Sequence, residues 1–473
     1  MSRRRIAPQD SFWLELDRPE NLMVPTSLVW TAEMVDPEAF RDVLRERLIG
    51  RFPVFRRRPE MHGGLLRGGA WVDDPDFDLD RHVVVQPAPG GGDRRALEDF
   101  VGEQRSVPLD PAHPLWRVHL LQGYQGGSAV LLRYHHAMAD GIRLTQVMIG
   151  LLDPVDGEPV TLSARVGRST PLDLFRSAAG PALAALRTAG SAVKIGLWTN
   201  PPSVLEGQPG IAKTAAWSDP VPLDRLKDIA HRTGTTVNDV CVTLVAGAMA
   251  RFLAASPGGH PLAAGDDDVA WMVPANLEPP GQELPRELGN HFALVLAVLP
   301  HGPAPFADRL REVHRRMARI RGSWESELTF ALSRGLAVSP ALLGGTAVRI
   351  LGSKAVGVLT NVPGPRQPMA LAGARVTGAV GFAPTSHRQA ITACIFSYAG
   401  EVTFGFGTDA AVLPDVRALV AALQAEVDSA LGQADVGARA SLPVPRAEPD
   451  SAVVGSAEKP QGSGRGSRRA TRR

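Results

Sequence analysis

Apolar residues in the first third of the chain recur at the spacings of strands, with one clear helical period among them. The segment "NLMVPTSLVWTA" reads as a strand, and "DPEAFRDVLRERLIGRFPVF" as a helix with Phe40, Val43, Leu44 and Leu48 on one face. "AWVDDPDFDLDRHVVV" has the pattern of a loop that enters a strand. "PLWRVHLLQG" and "SAVLLRYHH" predict two further strands around a Gly-rich turn.

A helix signal begins directly after the strand "SAVLLRYHH". Asp140 is a residue type that caps helix N-termini, because its side chain accepts backbone N–H groups of the first turn. Apolar residues then recur at helical spacing up to the break at "DPVDGEP": Leu144, Val147, Met148, Leu151 and Leu152. The pattern predicts a strand, a tight turn with two histidines, and a helix.

The second half of the chain predicts helices and strands after a connector. Within the connector, Thr170 and Pro171 begin a helix and "TNPPSVLEGQPG" is loop. "PVPLDRLKDIAHRTG" is a helix stopped by Gly234, and in "TTVNDVCVTLVAGAMARFL" Thr236 and Asp239 have capping-box spacing. "PFADRLREVHRRMARIRG" predicts a helix with its arginines outward, and "PDVRALVAALQAEVDSAL" is the last helix. Strands are predicted at "VAWMVPANL", "HFALVLAVLP", "AVGVLTNV", "AITACIFSYAG" and "EVTFGFGTD".

Length and these shifts in pattern predict the domain organisation. A chain of 473 residues exceeds one ordinary core, so two domains of about 150 to 250 residues are expected. We place them at residues 1–155 and 212–435, with a helical connector at 156–211. The segment 436–473 ends in "EKPQGSGRGSRRATRR" and is too polar and Gly-rich to pack, so we expect a disordered basic tail.

Charge and cysteine usage narrow the classes of function. The formal net charge of +2 does not favour a nucleic-acid binder. The two cysteines, Cys241 and Cys394, lack metal-ligand spacing and fit a reducing cytosol. The start "MSRRRIAPQDSFW" has no apolar core of a secretory signal, and no run reaches the roughly 18 to 20 apolar residues of a membrane span. We expect a cytoplasmic protein that is soluble or lies on a membrane surface.

The stretch "AVLLRYHHAMADGIRL" permits three interpretations of its histidines. Both are structural in the first, and His135, His136 and Asp140 bind a metal in the second. Neighbouring strand residues point to opposite faces, which disfavours the metal site. In the third, one imidazole is a general base, since its pKa lies near operating pH. Asp140 and Gly141 would then hold the turn.

The segment "HHAMADG" resembles the HHxxxDG motif of the CoA-dependent acyltransferases. Further segments resemble one branch, the bacterial wax ester synthase/diacylglycerol acyltransferase family. "HPLWRVHLL" is similar to its PLW motif, "VNDVCVTLVAGAM" to its ND motif, and "TNVPGP" with "LAGARV" to its NVPGP block. "SYAG", "RFPVFRRR" and "WVDDPDFDLDRHV" add support, and the set occurs in family order from about residue 8 to 432. Two departures concern substrate choice: "ENLMVPTS" lacks an acidic-Met-His pattern, and Glu278 stands where the family often has arginine.

The resemblance implies an α/β fold of two chloramphenicol-acetyltransferase-like domains, with mixed sheets flanked by helices and a tunnel at their interface. It implies that His136 is the general base, that His135 is structural, and that Asp140 is structural and paired with an arginine. The implied reaction is transfer of a fatty acyl group from acyl-CoA to diacylglycerol or a long-chain alcohol. Acyl-CoA is a substrate, and no cofactor or metal is implied. Peripheral contact with a membrane or lipid droplet is plausible because the substrates are oily.

Other motif residues have candidate roles in the same site. Asn238, in a first helical turn, is a candidate donor to the oxyanion, or it caps the helix together with Asp239. Asn361 is a candidate to orient, beside the tunnel, the turn made by Pro363, Gly364 and Pro365. We take this block mainly as scaffold, and its alternative role is a wall of the binding site. The remaining motif residues are scaffold as well, with the tryptophan as a core aromatic: Pro114, Leu115 and Trp116.

Two rival functions share much of this evidence. One is an acyltransferase of the same superfamily that acts on a polyketide alcohol or forms peptides. The other is a non-catalytic protein of lipid droplets or membrane surfaces. One arginine-rich helix is a candidate phosphate contact for CoA, although a charge run is usually a solvated face. Its arginines are Arg309, Arg311, Arg315, Arg316, Arg319 and Arg321.

Overall fold

The computed structural model describes most of the chain. The described residues are 3–61, 68–156, 198, 200, 204–205, 207–256, 268–276, 284–321 and 352–440. Contacts divide the chain into the units Met1–Leu431 and Gly432–Arg473. The first unit contains both large sheets. The predicted connector helix lies outside the described residues.

The first large sheet is mixed and has seven strands, in chain order β2 Thr26–Thr31, β5 Val83–Pro87, β6 Trp116–Tyr124, β7 Gly127–Tyr134, β8 Asp153–Pro154, β14 Met369–Leu371 and β15 Ala374–Phe382. Their order across the sheet is β5-β6-β7-β2-β15-β14-β8. Every residue of β7 is buried, as expected for a central strand covered on both faces. β15 comes from the C-terminal half of the chain and pairs antiparallel with β2. The two halves therefore share a sheet.

The second large sheet is also mixed, and its strands are β9 Lys213–Trp217, β10 Val221–Pro222, β11 Asp268–Asn276, β12 Phe292–Pro300, β13 Gly357–Pro363, β16 Ile391–Tyr398 and β17 Glu401–Asp409. Their order across the sheet is β10-β17-β16-β13-β11-β12, with β9 paired to β17. β13 pairs in parallel with both β11 and β16. The predicted fold class, mixed sheets flanked by helices, is confirmed.

A small sheet and nine helices complete the described part of the chain. The small sheet is β1 Arg3–Arg5, β4 Gly69–Asp73 and β3 Arg57–Met61. The helices are α1 Pro8–Leu16, α2 Pro37–Val43, α3 Leu79–His82, α4 Arg94–Arg105, α5 Gly141–Ile149, α6 Leu223–Thr233, α7 Val237–Ala255, α8 Phe306–Arg321 and α9 Val416–Ala440. α9 ends a few residues inside the segment predicted to be the tail.

The start signal predicted for α7 and the stop signal predicted for α6 are confirmed. The Thr236 hydroxyl and the Asp239 carboxylate form the capping box at the start of α7. α6 ends at Gly234, whose φ of 64° is a conformation that favours glycine. α7 is long and apolar enough to cross a membrane, but 67% of its apolar window is buried inside the protein. That burial is typical of a core helix.

Three sequence expectations need correction. The helix expected over "DPEAFRDVLRERLIGRFPVF" is broken into α2, a π-helical turn at Leu44–Ile49 and a 3-10 turn at Pro53–Arg56, where proline removes a backbone donor. The loop expected at "AWVDD" is strand β4. Arg309 does not face outward: it is 4% exposed because its guanidinium pairs with the buried Glu426 carboxylate of α9.

Candidate active site at the histidine turn

The two histidines follow the end of β7 and are held by the backbone on both sides. The His136 N–H donates to the Met23 carbonyl at 2.8 Å, and the His135 N–H donates to the Leu115 carbonyl at 2.9 Å. α5 begins after the turn, and Asp140 is its N-cap, as its sequence position predicts. These two hydrogen bonds hold the turn between the segment before β2, which contains Met23, and the segment before β6, which contains Leu115.

The His136 ring is buried in the wall of a cavity and has two aromatic neighbours. Trp13 of α1 stacks on it, with ring centres 4.2 Å apart, and Phe292 of β12 lies 5.4 Å away. Burial lowers the pKa of His136 to about 4, and the neighbouring His135 adds to the shift. The imidazole is thus neutral at pH 7, the form that a general base needs. Its pKa does not lie near operating pH, contrary to the expectation for a histidine base, because burial disfavours the charged ring.

Asn290, just before β12, fills one side of this ring. Its Oδ1 lies 2.9 Å from His136 Nδ1, while its Nδ2 donates to the Asp10 carboxylate at 2.8 Å and to the His136 carbonyl at 2.9 Å. Burial raises the pKa of Asp10 to about 6, although its bonds to Asn290 lower it. Sequence reasoning missed Asp10, Trp13 and Asn290. Asn290 is 154 positions from His136, and no local pattern links the two.

His135 has a different environment. It is 2% exposed, its Nδ1 accepts the Ala137 N–H at 3.0 Å, and its Nε2 lies 3.7 Å from an Asp17 carboxylate oxygen. The ring is thereby fixed inside the turn, away from the residues that line the cavity at His136. This geometry supports the structural role that the resemblance implied for His135.

Asp140 connects the turn to the C-terminal half. One carboxylate oxygen accepts the N–H groups of Ile142 and Arg143, and the other accepts the His291 N–H at 2.9 Å. The same aspartate therefore starts α5 and anchors the residue next to Asn290. Gly141 follows it at the cavity wall, and a Cβ at this position would meet open space.

The cavity beside His136 has a volume of about 130 Å³ and mostly apolar walls from both halves of the chain. A second apolar cavity, of about 80 Å³, adjoins it. Six residues line both: Ser27, Thr145, Thr360, Val362, Gly381 and Cys394. The two cavities together extend from the imidazole into the space between α5 and the two sheets, which suits a long apolar ligand.

The structure brings together three candidate residues, Asn238, Asp239 and Asn361, but it does not place them in the walls of the two cavities described above. Asn361 Nδ2 donates to Asn238 Oδ1 at 2.9 Å, and neither residue is among the described residues that line the two cavities. Asp239 is fully buried: burial opposes its charge, but hydrogen bonds from His314 and Arg321 lower its pKa. The oxyanion role of Asn238 stays a prediction.

The PLW segment lies in the scaffold, whereas the NVPGP segment also reaches the cavity walls: Thr360 and Val362 line both cavities, and Pro365 lines the second. Trp116 is buried, stacks on His82 with ring centres 4.5 Å apart, and donates its indole N–H to the Phe55 carbonyl. Its register partner on β7 is Tyr134, directly before the histidines. After Pro363, Gly364 packs so tightly that a Cβ would lie 2.3 Å from the Ser397 carbonyl oxygen. Only glycine fits this turn.

Charged side chains bear on two further kinds of site, one for a metal and one for phosphate. Among the described residues there is no cluster of three His, Cys, Asp or Glu side chains that could hold a metal. On α8, Arg311 pairs with Asp308, Arg315 and Arg316 pair with Glu312, and Arg321 pairs with Asp239. These arginines neutralise carboxylates of the protein itself, so contact of α8 with phosphate stays a prediction.

Comparisons with solved structures agree with this architecture. A wax ester synthase/diacylglycerol acyltransferase from Marinobacter aquaeolei VT8 superposes with a TM-score of 0.66 at 21% identity, covering 91% of this chain and 100% of that one. The first condensation domain of the calcium-dependent antibiotic synthetase superposes with a TM-score of 0.58 at 17% identity, covering 92% and 96%. At these identities the likeness concerns the fold.

Sequence comparisons identify the family. A putative diacylglycerol O-acyltransferase of Mycobacterium tuberculosis is 30% identical over 424 residues, which are 84% of this chain and 91% of that protein. A probable diacylglycerol O-acyltransferase, tgs1, of the same species is 27% identical over 87% of this chain and 91% of its own. The wax ester synthase/diacylglycerol acyltransferase catalytic domain matches residues 6–195, and the C-terminal domain of the same family matches residues 288–429. The chain therefore belongs to the wax ester synthase/diacylglycerol acyltransferase family of acyltransferases.

Proposed function

We propose that this protein transfers a fatty acyl group from acyl-CoA to a lipid alcohol, with His136 as the general base. The observation that carries the proposal is a neutral, buried imidazole in the wall of the first of two adjoining apolar cavities. Such cavities exclude water, so the thioester meets the alcohol rather than being hydrolysed. Family membership supplies the reaction type.

The reaction needs one proton acceptor and no covalent enzyme intermediate. The alcohol oxygen attacks the thioester carbon while His136 takes its proton, and the carbonyl electrons move to oxygen. When the tetrahedral intermediate collapses, the carbon–sulfur bond breaks and the imidazolium returns the proton to the leaving thiolate. The products are an ester and CoA as free thiol. Proton transfer of this kind typically contributes about 10² to 10⁴-fold to the rate.

Diacylglycerol is the acceptor that we favour. The relatives from Mycobacterium tuberculosis are named diacylglycerol O-acyltransferases, and they align over most of their length. The mostly apolar cavity walls favour an acceptor with long hydrocarbon chains over a water-soluble one. A long-chain alcohol, which would give a wax ester, shares this chemistry and is the comparison substrate.

Thiol release tests the proposal directly. Purified full-length protein is mixed with palmitoyl-CoA and either diolein, hexadecanol or a long-chain amine, and the free thiol and the lipid product are both measured. We expect triacylglycerol with diolein, and loss of turnover in His136→Ala. Thiol release without any lipid ester, or equal rates in wild type and His136→Ala, would overturn the proposal. A faster reaction with the amine would instead favour the condensation type of chemistry.

A further inference from the structure

We infer that Asn290 and Asp10 are positioning residues that hold His136 in its Nδ1–H tautomer and leave Nε2 as the proton acceptor at the cavity. The inference deepens the proposed function, and its kinetic part rests on that function. Its structural part concerns the proton on one ring nitrogen, which can be measured without any substrate.

The orientation of the Asn290 amide determines the tautomer. Its Nδ2 group has two acceptors, the Asp10 carboxylate at 2.8 Å and the His136 carbonyl at 2.9 Å. Both protons of the amide are therefore used, and Oδ1 must face His136 Nδ1, 2.9 Å away. An amide oxygen only accepts hydrogen bonds, so Nδ1 must carry the proton. Nε2 keeps its lone pair.

Asp10 is held in place for this task. The same carboxylate oxygen also accepts the Asn290 backbone N–H at 3.0 Å, so both donors of the asparagine point to one anion. Gln9 of the same helix donates to the Asn290 carbonyl at 3.0 Å. Asp10 is 6% exposed and Asn290 is 5% exposed, which excludes water as a competing partner.

The backbone next to Asn290 is shaped for close approach. Gly289 has a φ of 140°, which L side chains rarely adopt, and a Cβ there would lie 3.1 Å from Asp10 Oδ2. The Arg143 guanidinium donates to the Gly289 carbonyl at 2.9 Å. Arg143 belongs to α5, and Asp10 belongs to α1. Three segments are therefore linked around the Asn290 side chain: the histidine turn with the start of α5, helix α1, and the segment before β12.

The arrangement supports the charged state of His136 during turnover. When Nε2 takes the alcohol proton, the imidazolium keeps its Nδ1–H bond to Asn290, whose amide is polarised by the Asp10 carboxylate. Without Asn290, the ring keeps a hydrogen bond to the backbone of its own residue, but Nδ1 loses the amide oxygen, and the ring can then populate the Nε2–H tautomer that free imidazole prefers. That tautomer has no lone pair at the cavity and cannot act as a base there.

Kinetics of Asn290→Ala provide the first test, with Asn200→Ala as the matched control. Asn200 is also buried, at 6% exposure, and its amide bonds to the Lys354 carbonyl and the Ala270 N–H in the second sheet. We expect Asn290→Ala to lower kcat roughly 100-fold with little change in KM. Asp10→Asn keeps the acceptor oxygen and loses the charge, so a loss of about 10-fold is expected. Asn200→Ala should keep its turnover at temperatures where it is folded.

The tautomer provides the second test. Protein labelled with ¹⁵N only in histidine is examined by long-range proton–nitrogen NMR at pH 7.5, and His136→Gln identifies the His136 signals. We expect the Nδ1–H pattern in wild type and in Asp10→Asn, and the Nε2–H pattern or a mixture in Asn290→Ala.

The outcomes separate this inference from the proposed function. An Nε2–H pattern in wild type, or an unchanged Nδ1–H pattern and normal kcat in Asn290→Ala, overturns the inference. An Nδ1–H pattern that Asn290→Ala loses supports it, even if wild type proves inactive with every acyl-CoA. In that case the proposed function alone fails. If Asn290→Ala does not fold, Asn290→Gln, which moves the amide by one methylene, is measured in its place against the same two expectations.

Discussion

Two buried histidines, His136 and His301, each stack on a tryptophan, but they differ in how many of their ring nitrogens have a partner inside the protein. His136 lies against Trp13 and His301 against Trp271, and burial lowers the pKa of both imidazoles to about 4. In His301 the Nδ1 faces the Leu299 carbonyl and the Nε2 accepts the Trp271 indole N–H at 3.0 Å. In His136 the Nδ1 faces Asn290, and the ring lines a cavity.

The difference shows that burial and a low pKa do not by themselves identify a catalytic histidine. His301 satisfies both ring nitrogens inside the protein and thereby stabilises the core of the second sheet. At His136 the protein satisfies one nitrogen, and the other is available at an apolar cavity. A perturbed pKa becomes evidence for function when a free lone pair and space for a substrate accompany it.

The largest expected effect is on turnover when each histidine is removed. We expect His136→Ala to lower kcat with palmitoyl-CoA and diolein by about 10² to 10⁴-fold, because the variant lacks the base that takes the alcohol proton. His301→Ala should keep its kcat within about a factor of two at 20 °C, since His301 is absent from the cavity walls. Steady-state thiol release measures both. Equal losses in the two variants would mean that the stacked histidines are equivalent and that the comparison is wrong.

A smaller effect is expected when the passage between the two cavities is narrowed. Gly381 lines both cavities, and a Cβ there would have only the Thr26 carbonyl oxygen nearby, at 3.9 Å. Gly381→Leu should therefore fold and lower kcat/KM for palmitoyl-CoA about 10-fold relative to butyryl-CoA, because a long chain loses its space. The ratio of the two kcat/KM values in wild type and variant measures this. An unchanged ratio would place the acyl chain elsewhere.

The third effect concerns pH. Because His136 stays neutral down to about pH 4, kcat/KM should not show an acid limb near 6.5, the ordinary pKa of histidine. Asp10, whose pKa is about 6 and which lies near Arg4 and Arg143, is the group expected to cause any inflection there. Rates are measured from pH 5 to 8 in wild type and in Asp10→Asn. An acid limb near 6.5 in both proteins would contradict a desolvated base.

The smallest effect on activity, with a clear effect on stability, is expected at His301. His301→Ala leaves the buried Trp271 N–H without its partner, which costs about 1–3 kcal/mol of unfolding free energy. The lowered pKa of His301 also makes the free energy of unfolding depend on pH. The contribution of the neutral His301 is fully present above pH 6.5 and is lost as pH falls towards 4, since only the unfolded state takes up the proton in this range. Urea unfolding measures this effect. Between pH 7.5 and pH 5, the free energy of unfolding should fall less in His301→Ala than in wild type.

Local parts of the fold and site were predictable from the sequence because their causes are local. The Asp140 cap, the Thr236–Asp239 capping box and the Gly234 stop depend on residues within one turn of each other. The histidine turn itself was located by its motif. The outward direction expected for Arg309 was wrong, because the side chain that neutralises it, Glu426, is 117 positions away.

By itself, then, the sequence determined the strand, turn and helix around His136, the elements that flank it, and the family to which they belong. Only the tertiary structure decided that β15 crosses into the first sheet, and that Asp10, Trp13 and Asn290 meet at one imidazole. The physical reason is that periodicity and capping are read over a few neighbouring residues. A ring's protonation state and the cavity beside it depend on groups that folding brings together from distant parts of the chain.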